Sequence, residues 1–252
     1  MAMKPYRKPT VCVVGAGAAG VAAAAECALI GFDTVVVEEK DTVGGKYAGP
    51  RPADRPKKFG FRKGNLKHAG YDGSAESACA HIKAALDFSP AQLRLETHAD
   101  TAAFDKDSAQ WHITVTDVNT GEADDEVIKA DVLILATGTS SLDEIRGPHG
   151  REIDVPGLHR HLDIVPIGAP NLLLMDAPEP AVQGLFSYPL DLIEAKANHA
   201  QHWVRRLEVK GPGQLAANRS YWKTAAPERK KLISQLRDFM EAAHTHTPLT
   251  ES

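Results

Sequence analysis

The chain has 252 residues, of which 43% are hydrophobic and 25% charged, a size and composition that suit one sizeable core. Its formal net charge of −4 provides no overall attraction to nucleic acid or to an anionic membrane, so neither is expected as a partner. The apolar stretches are far shorter than the roughly 20 residues of a spanning helix, and the start of the chain has no signal-peptide pattern, so a cytoplasmic protein is expected.

The first predicted elements are a strand, a glycine turn, a helix and a second strand. Thr10–Val14 is β-branched and apolar without alternation, which is typical of a parallel strand buried on both faces. The turn Gly15-Ala16-Gly17-Ala18-Ala19-Gly20 leads into an alanine-rich helix that Gly31 ends. A strand at Thr34–Val37 follows and stops at Glu38. These parts in this order predict a Rossmann-like dinucleotide-binding domain of the α/β class. We expect a parallel sheet with helices on both faces, together with an antiparallel meander.

Each glycine of the turn has its own predicted role. Gly15 permits the tight turn, Gly17 lets the backbone approach a pyrophosphate, and Gly20 lets the helix pack closely on the strand. The phosphates would lie at the helix N-terminus, against the backbone of Ala18 and Ala19, where unpaired N–H groups favour negative charge.

An acidic pair ends the second strand. Glu38 comes a little over 20 residues after Gly15, where a carboxylate can accept hydrogen bonds from the ribose hydroxyls of an adenosine. Glu39 is the neighbouring alternative. An acid at this position argues against a cofactor that carries a 2′-phosphate.

The next residues carry a family resemblance. The run Glu38-Glu39-Lys40 continues to Gly44-Gly45-Lys46-Tyr47, and "EEKDTVGGKY" resembles the two-dinucleotide-binding-domain flavoproteins. More narrowly it is similar to the flavin-containing and Baeyer–Villiger monooxygenases, in which an aromatic residue, more often Trp than Tyr, follows the glycine pair. The resemblance implies FAD as the cofactor, with Lys40, Gly45, Lys46 and Tyr47 among the residues near it.

Further elements follow in the order of a flavin domain. Ser74–Phe88 is a predicted helix and Gln92–Thr97 a predicted strand. Gln110–Thr116 and Glu126–Ala130 flank an Asn-Thr-Gly turn and predict an antiparallel meander. The resemblance implies that Ala99, just past the third strand, covers the adenine with its backbone.

A last pair of strands is predicted beyond the meander. Asp131–Ala136 is an apolar strand that runs into Ala136-Thr137-Gly138, which resembles the closing FAD motif; the alternative is a buried strand ending in an ordinary turn. A final strand reaches Asp176. The resemblance implies that this acid holds the ribityl chain; the alternative is that it holds the strand-end turn. Gly184-Leu185-Phe186 then leads into a long helix, through Arg206, whose positive end would face the flavin pyrimidine.

The predicted organisation is an FAD-binding domain at residues 1–208 and a C-terminal helical appendage at residues 209–252. The segment 46–71 is a basic loop within the first domain, read as a solvated loop or as a lid over an anionic substrate, nucleotide or partner. Lys46 and His68 are the members of that loop expected nearest the isoalloxazine. In the appendage, Ala226–Ala243 is a predicted amphipathic helix that packs on its own domain or forms a homodimer contact.

Two further expectations concern metals and thiols. His244 and His246 are expected to lie in a frayed tail rather than to bind a metal, so no metal site is predicted. The three cysteines form no Cys-x-x-Cys pair, which argues against thiol–disulfide chemistry.

The resemblance also shows what this sequence lacks. Flavin monooxygenases insert a second nucleotide-binding domain for NADPH, and this sequence has no second G-x-G-x-x-G. Three functions remain open. The chain is an FAD oxidoreductase that oxidises or oxygenates a small molecule, with electrons from a flavin reductase, another electron-donor protein or the substrate. Alternatively it is a non-catalytic FAD-binding subunit or regulator, or a flavoprotein that NAD(P)H reduces without a dedicated domain. No catalytic acid or base is assigned.

Overall fold

The computed structural model describes residues 7–45, 75–121, 127–138, 142–161, 164–175, 189–217 and 244–249. None of the helices in these ranges combines the length and apolar character that crossing a bilayer requires. The elements in chain order are β1 (Thr10–Val14), α1 (Ala18–Leu29), β2 (Asp33–Val37), α2 (Ala75–Asp87), β3 (Gln92–Arg94), β4 (Thr97–Asp105), β5 (Gln110–Asp117), β6 (Ile128–Ala130), β7 (Val132–Leu135), β8 (Glu144–Arg146), a short 3₁₀ helix (Pro148–Gly150), β9 (Arg160–His161), β10 (Val165–Pro166), β11 (Leu172–Leu174), α3 (Pro189–Lys210), β12 (Gly213–Ala217) and β13 (His244–Pro248).

The predicted α/β class is confirmed by a five-stranded parallel sheet with β1 at its centre. The strand order is β11-β7-β1-β2-β3, and every pairing in it is parallel. Val11 and Val13 are buried against the helices α1, α2 and α3, whereas Cys12 and Val14 are buried against the antiparallel strands. Because alternate side chains of β1 enter two different cores, the strand is apolar without alternation. Within the described ranges, helices cover one face of the sheet and antiparallel strands cover the other, which differs from the expected helices on both faces.

The second core lies under a four-stranded sheet in the order β6-β5-β4-β8. The predicted meander is confirmed in β5 and β6, which pair antiparallel. The single strand expected at Gln92–Thr97 is wrong, because β3 ends at Arg94 and β4 begins at Thr97. Glu96 has φ of 50° between them, a left-handed conformation that breaks an extended chain.

Asn171 ties the two sheets to the strand β12. Its backbone N–H donates to Leu215 O (3.0 Å), and its Oδ1 accepts from Leu215 N (2.7 Å). Its Nδ2 donates to Gly213 O (3.0 Å) and Ala109 O (3.3 Å), and its carbonyl accepts from Trp111 Nε1 (3.1 Å). The residue is fully buried with φ of 55°, a conformation that Asn tolerates better than most residues.

The C-terminal part differs from the expectation of a frayed tail. Residues His244–Pro248 form β13, which pairs antiparallel with β12, so that expectation is wrong. The predicted long helix is present as α3, which runs past residue 208 to Lys210. The division at residue 208 stays a prediction. The predicted helix at 226–243 and the basic loop at 46–71 lie outside the described residues.

A buried polar cluster lies between α3 and β9. Lys196 and His199 of α3 are 3% and 2% exposed, and Arg160 and His161 of β9 are 8% and 2% exposed. Burial lowers the pKa of His199 to about 3, and the nearby His161 imidazole is the next largest cause. His202, Arg206 and Lys196 of the same helix lower the pKa further, so His199 is neutral at physiological pH.

Candidate functional site

The turn between β1 and α1 needs a glycine at two of its positions for the fold itself. Gly15 has φ of +102°, and a Cβ there would lie 2.7 Å from the Ala136 carbonyl oxygen. A Cβ on Gly20 would overlap the Gly15 carbonyl oxygen. Both contacts are with backbone, so neither can relax cheaply, and the predicted roles of tight turn and close helix packing fit these contacts.

Gly17 is different, because the surrounding protein would accept a side chain there. Its φ of −72° and ψ of 178° are extended values that any residue adopts. Among the described residues, a Cβ on Gly17 would meet only the Gly45 Cα, at 3.8 Å, which is an ordinary van der Waals contact. The described part of the fold therefore gives no reason for a glycine at this position. Close approach of a ligand to the backbone does give one.

The N-terminus of α1 offers backbone donors beside Gly17. The first intrahelical bond runs from Val21 N to Gly17 O (3.0 Å), so the amides of Ala18, Ala19 and Gly20 precede the helical hydrogen-bond ladder. Gly17 makes no side-chain capping bond, and the first turn of this helix contains no acidic residue. The partial positive charge of the helix end is therefore not neutralised by a side chain of α1 itself.

The paired glycines pack directly on this turn. Gly17 and Gly44 form a parallel bridge, and Gly44 N donates to Ala16 O (2.8 Å). A Cβ on Gly45 would lie 3.0 Å from Gly17 Cα, and its φ is +54°. The structure thus brings the two glycine motifs together, as the flavoprotein resemblance implies, although the contact with Gly44 was not among the sequence predictions.

The two acids after β2 have different surroundings. Glu38 is 9% exposed, and its Oε2 and Oε1 accept from Ala16 N (2.6 Å) and Lys40 N (3.1 Å). Its carboxylate is therefore held beside the glycine turn. The Glu39 side chain is 61% exposed, with Oε2 lying 3.9 Å from His98 Nδ1. The geometry favours Glu38 as the acid that belongs to the dinucleotide site.

The remaining predicted residues that the structure describes lie directly after β7 or within β4. Ala136 directly follows β7 and its N–H donates to Val14 O (2.8 Å); Thr137 and Gly138 come next. The carboxyl ends of β1, β2 and β7 thus meet at one edge of the sheet, the usual ligand side of an open parallel sheet. Ala99 lies in β4, 5% exposed, two residues after Thr97, whose N–H donates to Glu38 O (2.9 Å).

Seven of the predicted cofactor contacts lie outside the described residues: Lys46, Tyr47, His68, Asp176, Gly184, Leu185 and Phe186. Their roles stay predictions. Sequence reasoning missed the part of Ala16, whose amide holds the Glu38 carboxylate. The G-x-G-x-x-G motif could have indicated this role, because Ala16, the residue between its first two glycines, faces the end of the second strand.

The chain matches a known protein family and is similar to solved monooxygenase structures. The family model for pyridine nucleotide-disulphide oxidoreductases matches residues 9–163. No curated protein sequence matches. Among solved structures, an oxidized steroid monooxygenase bound to NADP is similar, with 21% identity and a TM-score of 0.42 over 52% of this chain and 26% of that one.

Two more monooxygenase structures are similar to the same extent. A cyclohexanone monooxygenase in a closed crystal structure has 19% identity and a TM-score of 0.42, over 56% of this chain and 29% of that one. OTEMO in complex with FAD and NADP has 21% identity and a TM-score of 0.41, over 56% of this chain and 28% of that one. This chain therefore spans less than a third of the length of these three structures.

Proposed function

This chain belongs to the pyridine nucleotide-disulphide oxidoreductase family, whose members are FAD-binding oxidoreductases, and we propose that it uses FAD to oxidise or oxygenate a small molecule. In this proposal the electrons come from a partner flavin reductase, another electron-donor protein or the substrate itself. The activity is related to that of class B flavin monooxygenases.

Gly17 is the observation that carries the proposal. The described residues around it would accept a side chain, whereas a pyrophosphate lying against the N-terminus of α1 would not. A glycine that the fold does not need, at a helix end with no capping side chain, fits the site of a dinucleotide phosphate.

The other residues of this edge then have defined tasks. The backbone N–H groups of Ala18, Ala19 and Gly20 bind the phosphates. Glu38 keeps its carboxylate beside them through the bonds from Ala16 and Lys40, and its remaining lone pairs accept from the ribose hydroxyls. Bound FAD supplies the exchange of electrons with the substrate; the chain supplies position and shields the reaction from water.

The organisation of the chain supports an external electron source. β6 ends at Ala130 and β7 begins at Val132, so the chain passes directly from the meander to the closing strand. No second nucleotide-binding domain lies between these two strands, and the sequence holds no second G-x-G-x-x-G motif elsewhere.

Gly17→Val tests the cofactor assignment. Valine readily adopts the extended backbone of this residue, so we expect the apo protein to fold with a stability loss of about 1 kcal/mol, the usual cost of valine at a helix N-cap. FAD occupancy, measured from the flavin absorbance after desalting, should fall at least tenfold. The control is Gly121→Ala at a hairpin tip, where a Cβ would meet none of the described residues within 4 Å but the φ of +68° makes alanine strained; its stability loss should leave the flavin bound. Full occupancy in a folded Gly17→Val protein would contradict the assignment.

A further inference from the structure

We propose that His98, Asp100 and Asp143 form a binding site for a divalent transition-metal ion on the antiparallel sheet. One imidazole nitrogen and two carboxylate oxygens from these residues all lie within 4.8 Å of one another. None of the three is among the residues that hold the dinucleotide in the proposed function, but the site borders two predicted cofactor contacts, Ala99 and Glu39.

The sheet holds the three ligand residues in place. His98 and Asp100 lie on β4, and Asp143 directly precedes β8, which pairs parallel with β4. Asp143 N donates to Asp100 O (2.8 Å), so the backbones of the two aspartates are joined. The register of β4 against β5 shifts at Asp100, and a bulge of this kind re-aims a side chain without loosening the sheet.

The side chains are already oriented as ligands usually are. Thr116 Oγ1 donates to Asp100 Oδ2 (2.8 Å), while the other oxygen, Oδ1, lies 3.9 Å from His98 Nε2. On the opposite side of the ring, His98 Nδ1 lies 3.9 Å from Glu39 Oε2. A metal-bound histidine commonly presents its second nitrogen to a carboxylate, which fixes the tautomer and strengthens the ligand. Glu39 is the carboxylate nearest that position for His98, and the 3.9 Å gap must close by side-chain rotation before the hydrogen bond forms.

The dimensions and the ligand types select the ion. Ligand atoms of a tetrahedral site with bonds of about 2.05 Å are about 3.4 Å apart, so the observed separations need to close by roughly 0.5–1.4 Å. Rotation of side chains that are 34% and 26% exposed can supply that movement, and water can complete the coordination. An imidazole combined with two carboxylates suits Zn²⁺, Co²⁺ or Mn²⁺ better than Ca²⁺ or Mg²⁺, which prefer oxygen alone.

Calorimetric titration of the full-length, tag-free protein with ZnCl₂, after removal of metals with a chelator, tests the proposal. We expect one binding event with a stoichiometry of one per chain, and a visible absorption band when Co²⁺ replaces Zn²⁺. His98→Ala and Asp143→Asn should each weaken this event at least tenfold. Glu39→Gln should weaken it by up to about tenfold, since Glu39 orients the imidazole without binding the ion.

The matched control is His112→Ala on the neighbouring strand β5, where His112 pairs with Ala103 and Lys129, away from the cluster. It should bind Zn²⁺ as the wild type does. Circular dichroism shows whether each variant is folded, and Asp143 is exposed, so its substitution leaves the core intact. No Zn²⁺ binding by the wild type, equal binding by His98→Ala, or competition by equimolar Mg²⁺ would each overturn the proposal.

Discussion

Acid should destabilise the protein through one buried imidazole, that of His199. Its pKa in the folded protein is lowered to about 3 by burial and then by the neighbouring His161, whereas in the unfolded chain it returns to the ordinary value of 6.5. A group with a lowered folded pKa contributes stability that is complete above 6.5 and is lost as the pH falls toward 3.

The size of the effect follows from the two pKa values. At pH 5.0, which is about 1.5 units below the pKa of the unfolded chain, protonation of His199 stabilises the unfolded chain by about 2 kcal/mol. The folded protein does not share this stabilisation, because its His199 stays neutral at that pH. That is a large part of the total stability of an ordinary domain.

Urea unfolding at pH 7.5 and pH 5.0, followed by tryptophan fluorescence, measures this loss. His199→Gln removes the titrating group. The free energy of unfolding that this variant loses between pH 7.5 and pH 5.0 should therefore be about 2 kcal/mol smaller than the loss in the wild type. His149→Gln, at an exposed position, is the control and should lose as much as the wild type. Equal losses in His199→Gln and the wild type would refute the reasoning, whatever the absolute stabilities are.

Three further predictions concern the cofactor and the fold. Glu38→Gln should weaken FAD binding by about 1–3 kcal/mol in a flavin titration, because it loses charge-assisted hydrogen bonds. An equal effect of Glu39→Gln would contradict the assignment of the ribose to Glu38. Asn171→Ala should lower the free energy of unfolding in urea by about 2–4 kcal/mol, since it leaves Leu215 N and two carbonyls without this side chain; a loss under 1 kcal/mol would contradict its linking role. Anaerobic bleaching of the flavin by NADPH in a stopped-flow instrument should be slow, without saturation, and weaker at high salt; fast, saturable and salt-insensitive bleaching would instead mean that a specific nicotinamide pocket exists.

Local sequence signals were enough for the dinucleotide-binding unit. The strand β1, the turn Gly15–Gly20, the helix α1 and Glu38 follow each other within about thirty residues, so spacing alone predicts their arrangement. The apolar composition of β1 also predicted correctly that the strand is buried on both faces, because such a strand is apolar along its whole length.

Features that depend on distant partners could not be predicted in the same way. β13 is rich in His and Thr, with no apolar pattern of its own, and it becomes a strand because β12 offers it a partner from residues 213–217. The break between β3 and β4 falls at Glu96, which has a positive φ without being glycine, so no local signal marks it. The same holds for the contact between Gly17 and Gly44 and for the placing of His98 between Glu39 and Asp100.

The central place of β1 has a consequence for synthesis of the protein on the ribosome. One edge of β1 pairs with β2 soon after both emerge, but the other edge must wait for β7, whose Val132 pairs with Val11. At about 5–20 residues per second, roughly 6–24 seconds pass between the synthesis of β1 and that of β7. Throughout that interval a strand with two apolar faces has an unpaired edge, open to other nascent chains. We expect fragments that stop before residue 132 to aggregate or to remain bound to chaperones, and the Arg7–Asp131 ion pair (2.6 Å) to form only as that edge closes.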